Sequence, residues 1–476
     1  MTEPYAFPSL RRPGEFLRYL WKSNLGALLA NRGLGALSNA ILLVLINRFY
    51  ARDTDAADAG RLAVILTLTL SVVLVACGIG RSLTLRISQA RALGVGQEQT
   101  IARYLGAGLG LTAALSLVLM ALGLAVPWLV LEAIRAWYPS AGSHVEVYVK
   151  PLQWAALWLP SYSFIVVLVA VFDGYQRMRW SLLAESGTFQ VMRLGGAVVL
   201  IVVLGATWTQ LVVGWTLAYA IGTALVGMEL WVFLSRQRQP VAWNHLAIWP
   251  VLRDTIFFFL PTAAPTLVLH IGVLVSWAVG GPGASATFWV MWSLVLVAAE
   301  VCSPIGRVLF PAVPNLQRLP DARQFRSVLR RPFWGVSLIA LTALALLVVV
   351  RGPLLEYLHQ GSHRVVLAVL LPAGFLATLR SVFDPVLLAV GKEKALMILE
   401  WISLMGILAG GAVAMQGVGL VGLAAAYLLV GIGGTAVRIA FLKAATGVSL
   451  WIDVIASGGL VLVGAAVLVA YESGAF

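Results

Sequence analysis

Cys77-Gly78-Ile79-Gly80-Arg81 closes the second long apolar run of the chain, and Cys302-Ser303-Pro304-Ile305-Gly306-Arg307 closes the eighth. A basic, polar stretch follows each, so one phrase recurs at the same point of two successive sets of six runs. A second correspondence lies four runs into each set, where Gly174 to Glu185 (GYQRMRWSLLAE) aligns with Gly391 to Glu400 (GKEKALMILE) across a gap of about two residues. Two correspondences in the same order indicate duplicated helical halves, the architecture of secondary transporters built around a central site.

Composition sets the solvent. The 476 residues are 60% hydrophobic and 11% charged, with a mean hydropathy of +0.92, whereas soluble domains carry about 25% charge. A helix rising 1.5 Å per residue needs about 20 apolar residues to cross about 30 Å of hydrocarbon. Windows of that kind lie at 24–47, 60–80, 102–127, 150–172, 181–204, 207–234, 252–279, 284–305, 333–351, 364–389, 394–416, 418–440 and 450–471. The expected fold is all-α and polytopic, with about 13 transmembrane helices in two pseudo-symmetric six-helix lobes plus an extra C-terminal helix. The expected boundaries are a cytoplasmic segment over 1–23, an N-lobe over 24–240, a C-lobe over 241–445 and the extra helix over 446–476.

Cys77 and Cys302 fall inside spans of different halves, which leaves no CxxC metal site and no disulfide framework; both read as small packing residues. Residues 1–23 carry Arg11, Arg12, Arg18 and Lys22 before an apolar run too long for a signal-peptide core, so the first helix is expected to be retained. The net charge of +13 is dispersed. With the N-terminus in the cytoplasm, that side collects about 23 lysines and arginines against about 7 outside. Basic residues so placed hold loops in the cytoplasm, and no aromatic-interleaved basic patch offers a site for nucleic acid.

Three arginines remain that no loop claims: Arg32, Arg193 and Arg380. Near a helix centre a guanidinium costs about 2.5–3.5 kcal/mol on insertion scales, so it faces a wet cavity or an acidic partner. Its planar fork of donors matches phosphate oxygens. Arg32 lies among Asn31, Gly33, Gly35, Ser38 and Asn39, a small polar face suited to a groove. Arg193 has Glu185 two turns back on the same side, and Arg380 has Asp384 at i+4, which favours a structural ion pair there. Arg32, Arg193, Arg380, Asn31 and Asn39 are the candidate substrate-cavity residues.

Glu185, His270, Glu300 and Asp384 are candidates for coupling or gating, with Pro261, which together with Pro265 removes backbone hydrogen bonds ahead of His270. Glu229, close to Arg236, and Glu400, close to Lys394, read instead as surface-paired acids. The chain has no HExxH, GxSxG or Walker loop and no polar insertion large enough for a nucleotide site, so neither enzyme chemistry, metal nor cofactor is expected. Active transport would draw on an ion gradient or the membrane potential.

The pattern resembles the polysaccharide-transporter branch, the Wzx-like O-antigen and exopolysaccharide flippases, of the multidrug/oligosaccharidyl-lipid/polysaccharide flippase superfamily. The resemblance rests on Asn31-Arg32-Gly33-Leu34-Gly35, on Gly78 to Gly94, on Arg307 to Pro314 (RVLFPAVP), on Val390-Gly391-Lys392 and on Gly417 to Ala424 (GVGLVGLA). It implies two lobes in a V that open alternately inward and outward, and a cationic cavity for the pyrophosphate and sugars of a polyprenyl-linked oligosaccharide. The cavity arginines carry over to Arg32 and, less directly, to Arg193. In span seven His270 stands where some relatives have a charged residue.

The resemblance further implies a monomer in the bacterial inner membrane, with membrane lipids around it and a polysaccharide polymerase or glycosyltransferases as partners. Three rivals share part of this pattern. A multidrug or cation antiporter of the same superfamily would place acids deep in the first lobe, and a peptidoglycan-precursor flippase would share all of the physics. A membrane glycosyltransferase would use outer-loop acids such as Asp53 and Asp55.

Overall fold

The structure, a computed structural model, describes residues 25–50, 57–92, 97–137, 139–175, 177, 180–181, 183–242, 247–316 and 322–472. It is helical throughout the described residues. In chain order the helices are α1 Leu25–Tyr50, α2 Ala57–Ala92, α3 Glu98–Trp137, α4 Pro139–Ala156, α5 Trp158–Gly174, α6 Gln190–Val198 and α7 Trp208–Arg236. They continue as α8 Ile248–Leu316, α9 Ala322–Tyr357, α10 Arg364–Ala389, α11 Glu393–Gly406, α12 Ala412–Val418, α13 Leu420–Thr446 and α14 Trp451–Glu472.

Several crossings are composite. α4 and α5 form one span bent by 43°. Short π-helical turns over Leu183–Phe189 and Val199–Val203 flank α6, and another over Ile407–Gly411 joins α11 to α12. α8, at 69 residues, is far too long for a single crossing of about 30 Å. Its helical path breaks at Gly281, where φ is +77°. A side chain resists that left-handed conformation, and Pro282 then opens the next helix without needing an amide donor. Eleven single helices are long and apolar enough to cross. With the bent pair counted as one span and α8 as two, the described residues make thirteen passes, in the windows that hydropathy marks.

Packing divides the chain into two compact units, one of Ile41–Trp289 and one of Met1–Ala40 with Val290–Phe476. In the first, α2 runs antiparallel to the opening half of α8. Ser82 Oγ donates to Val251 O at 3.3 Å, Arg86 Nε to Asp254 at 2.7 Å, and Ser285, beyond the break, reaches Gly60 O at 3.3 Å. α7 begins with a capping box in which Thr207 and Gln210 satisfy each other's backbone amides.

In the second unit the last helix is tied along its length. Arg330 near the start of α9 binds Asp453 near the start of α14 at 2.7 Å, and Arg351 near the end of α9 binds Glu472 at the end of α14 at 3.0 Å. The two helices therefore run parallel, as the ninth and thirteenth of successive crossings must. α14 also packs on α10, where Phe375 meets Gly458, so the additional C-terminal helix is an integral wall of its unit.

Candidate functional site

Charge inside these units is concentrated on the fifth and sixth spans of the first set and on the fourth, fifth and sixth of the second. In the Ile41–Trp289 unit the fifth span is the run of π-turn, α6 and π-turn from Leu183 to Val203. Such turns shift the helix face by one residue and recur at functional positions. Arg193, ten residues into this run and so about 15 Å along it, is half-buried near mid-depth. It reaches the Tyr219 hydroxyl on α7, and its carbonyl accepts from Trp215 Nε1 at 3.4 Å.

Tyr162 on α5 and Cys77 on α2 lie near enough to Glu185 to feel its charge, and Tyr162 that of Arg193. Around this polar centre the rings of Tyr162, Phe189, Tyr219 and Trp158 pack at centroid distances of 5.2–5.5 Å. Trp158, Phe189 and Tyr219 are buried, so the rings form a packed aromatic cluster beside the arginine. Glu229 on α7 accepts from the Thr188 hydroxyl at 2.5 Å. That corrects the expected surface pairing with Arg236: the π-turn carries Thr188 to the carboxylate.

In the other unit two arginines and two acids meet on three helices. Arg438 on α13 donates through Nε to Asp384 on α10 at 2.7 Å and through Nη2 to Glu400 on α11. Arg380 on α10 binds Glu400 through Nη1 at 3.1 Å. Glu400 is 0% exposed and Arg438 1%, whereas Arg380 is 15% and Asp384 20% exposed. Both sequence readings here need correction. Arg380 pairs across helices with Glu400 rather than at i+4 with Asp384, and Glu400 sits in the interior rather than beside Lys394. Low dielectric explains both, because a buried carboxylate needs a cation within bonding distance.

Arg438, near the end of the apolar window 418–440, is a site residue that the sequence alone did not single out. The small residues Gly433, Gly434, Thr435 and Ala436 beside it were the available signal of burial. Elsewhere in this unit Asn39 donates to Glu300 at 3.1 Å, which joins one candidate cavity residue to one coupling candidate. His270 is half-buried on the opening half of α8, in the Ile41–Trp289 unit. Asn31 and Arg32 lie on α1 and Pro261 on α8, but their side chains are outside the described residues, as are Asp53 and Asp55 altogether.

The repeated phrases occupy equivalent places. A Cβ on Gly80 of α2 would stand 2.9 Å from Ala170 on the fourth span. One on Gly306 of α8 would stand 2.7 Å from the Ser381 carbonyl on the tenth. Glu185 and Glu400, which end the second correspondence, both fall at the polar centre of their own unit.

No family model and no curated protein matches the sequence. Solved structures do match in fold. An inward-facing multidrug resistance MATE family transporter of the MOP superfamily aligns at TM-score 0.67 and 14% identity, over 87% of this chain and 96% of its own. A MOP superfamily transporter from Pyrococcus furiosus, described by the reverse polarity of its binding pocket and a suggested different function, aligns at 0.67 and 14%, over 94% and 98%. An outward-facing MATE transporter aligns at 0.65 and 14%, over 87% and 93%. The chain has the fold of these transporters, a fold solved in both inward-facing and outward-facing conformations.

Proposed function

We propose that the protein is a flippase of the Wzx-like kind, which moves a polyprenyl-pyrophosphate-linked oligosaccharide from the cytoplasmic to the outer leaflet by alternating access. On this reading the N-terminus is cytoplasmic and the chain lies in a bacterial inner membrane. The observation that carries this reading is Arg193, an arginine at mid-depth of a span, half-buried beside a packed aromatic cluster. A pyrophosphate cannot enter hydrocarbon without replacements for its water, and guanidinium forks supply them. Arg32, on the first helix, is assigned the same task. With the outside positive, outward movement of negative charge is favoured by about 2.3 kcal/mol per charge per 100 mV, so the potential itself can drive the step.

The matching multidrug transporters keep the antiporter reading as the competitor, while the Pyrococcus furiosus relative supports a MOP fold hosting a pocket of altered polarity. The two readings differ in ligand charge. Thermal stabilisation of the purified protein by a polyprenyl pyrophosphate and not by organic cations supports the flippase. Stabilisation by organic cations alone overturns it.

A further inference from the structure

We propose that Arg380 is a phosphate ligand held in reserve. In the empty carrier Glu400 neutralises it, and on loading a phosphate oxygen of the head group takes the place of Glu400. The inference rests on the transport reading above and names a residue and an exchange that the reading lacks.

The four charges are not equivalent. Glu400 and Arg438 are interior, while Arg380 and Asp384 form the accessible edge. Arg438 bridges both acids, so Glu400 keeps a cation within bonding distance if Arg380 turns away. The reverse does not hold, because Glu400 is the acid to which Arg380 is bonded. Arg380 spends one nitrogen, Nη1, on that bond, and its remaining donors are not among the buried polar atoms that lack a partner. They therefore keep access to the surface, where two oxygens of a phosphate group could take two of them.

An arginine left bare in a span is costly. A carboxylate that can be displaced removes this cost in the empty state without closing the site. The exchange also has a mechanical side. It cuts the Arg380 tie between α10 and α11 while the Arg438–Asp384 tie between α10 and α13 remains. Loading thus loosens one helix contact of the unit and leaves the other intact.

Competition makes the idea measurable. The probe is inorganic pyrophosphate, titrated calorimetrically into the purified full-length protein. Glu400→Gln removes the competitor and is expected to tighten binding about tenfold, while Arg380→Gln weakens it about tenfold. The double variant should match Arg380→Gln, because the gain needs Arg380 to be present. Glu400→Asp, which keeps the charge but shortens the reach, should tighten binding by a smaller factor, and it serves if the Gln variant fails to fold. Wild-type binding with no gain in either Glu400 variant, or an equal gain without Arg380, overturns the exchange alone. A wild type that binds no pyrophosphate overturns the transport reading with it.

Discussion

Gly306 approaches Ser381 so closely that a Cβ at 306 would lie 2.7 Å from the Ser381 carbonyl oxygen, with Pro385 Cγ at 2.8 Å. Gly80 meets Ala170 in the corresponding place of the other unit. Without a hydrophobic force between helices in lipid, such close approach is what holds spans together. Gly306→Ala is expected to cost about 1–3 kcal/mol, read as a lowered midpoint of thermal unfolding in detergent. Gly433→Ala, with nothing within 4 Å of the new methyl, should be neutral or slightly stabilising.

The charge cluster makes a sharper prediction. Arg438→Leu leaves the buried Glu400 with Arg380 as its remaining cation and takes from Asp384 its partner at 2.7 Å, and is expected to cost about 3 kcal/mol. Replacing both residues, Arg438→Leu with Glu400→Leu, leaves Arg380 and Asp384 as an i,i+4 pair and should recover most of that loss. Unfolding midpoints of the two variants in the same detergent check the order, and a double variant weaker than the single would refute the pairing.

The parallel course of α9 and α14 makes a prediction about topology. If Arg330 and Asp453 mark one membrane face and Arg351 and Glu472 the other, thirteen crossings among the described residues put Leu25 and Glu472 on opposite sides. A phosphatase reporter fused after residue 472 is expected to be active outside, and one inserted between α2 and α3 inactive. The opposite pattern would reverse the assigned orientation.

The tie at Asp453 should also be felt locally. Asp453 is buried and accepts from both Arg330 and Trp334 Nε1, the latter at 3.0 Å. Asp453→Ala is expected to raise amide exchange across the first turns of α14 about tenfold while leaving α13 unchanged. Equal exchange in variant and wild type would mean that packing on α10 alone holds the helix.

Sequence alone carried the helices well, because each crossing is a long apolar run and hydrocarbon leaves the backbone no alternative to internal hydrogen bonds. The break at Gly281-Pro282 was legible for the same reason, as a gap between two runs. The repeat was legible through Gly80 and Gly306, since close approach constrains the residue type itself. The partners of the buried charges were not. Arg380 and Asp384 are neighbours by helical spacing, and nothing in one sequence shows that α11 brings Glu400 nearer. Arg438 lies two turns from the end of α13, where a basic residue reads as an interface anchor. Glu229 was misread for the same reason, its true neighbour Thr188 being set by a π-turn that no local propensity announces.

The account turns on the sign of the charge that the protein carries. The direct measurement is outward translocation of a polyprenyl-pyrophosphate oligosaccharide in proteoliposomes, under an outside-positive potential, by the wild type and by a normally folded Arg193→Gln variant. The account predicts translocation by the wild type, faster with the potential than without, and a loss of about tenfold or more in the variant. A wild type that moves no lipid-linked glycan and instead exports organic cations, with Arg193→Gln as active as the wild type, would contradict it.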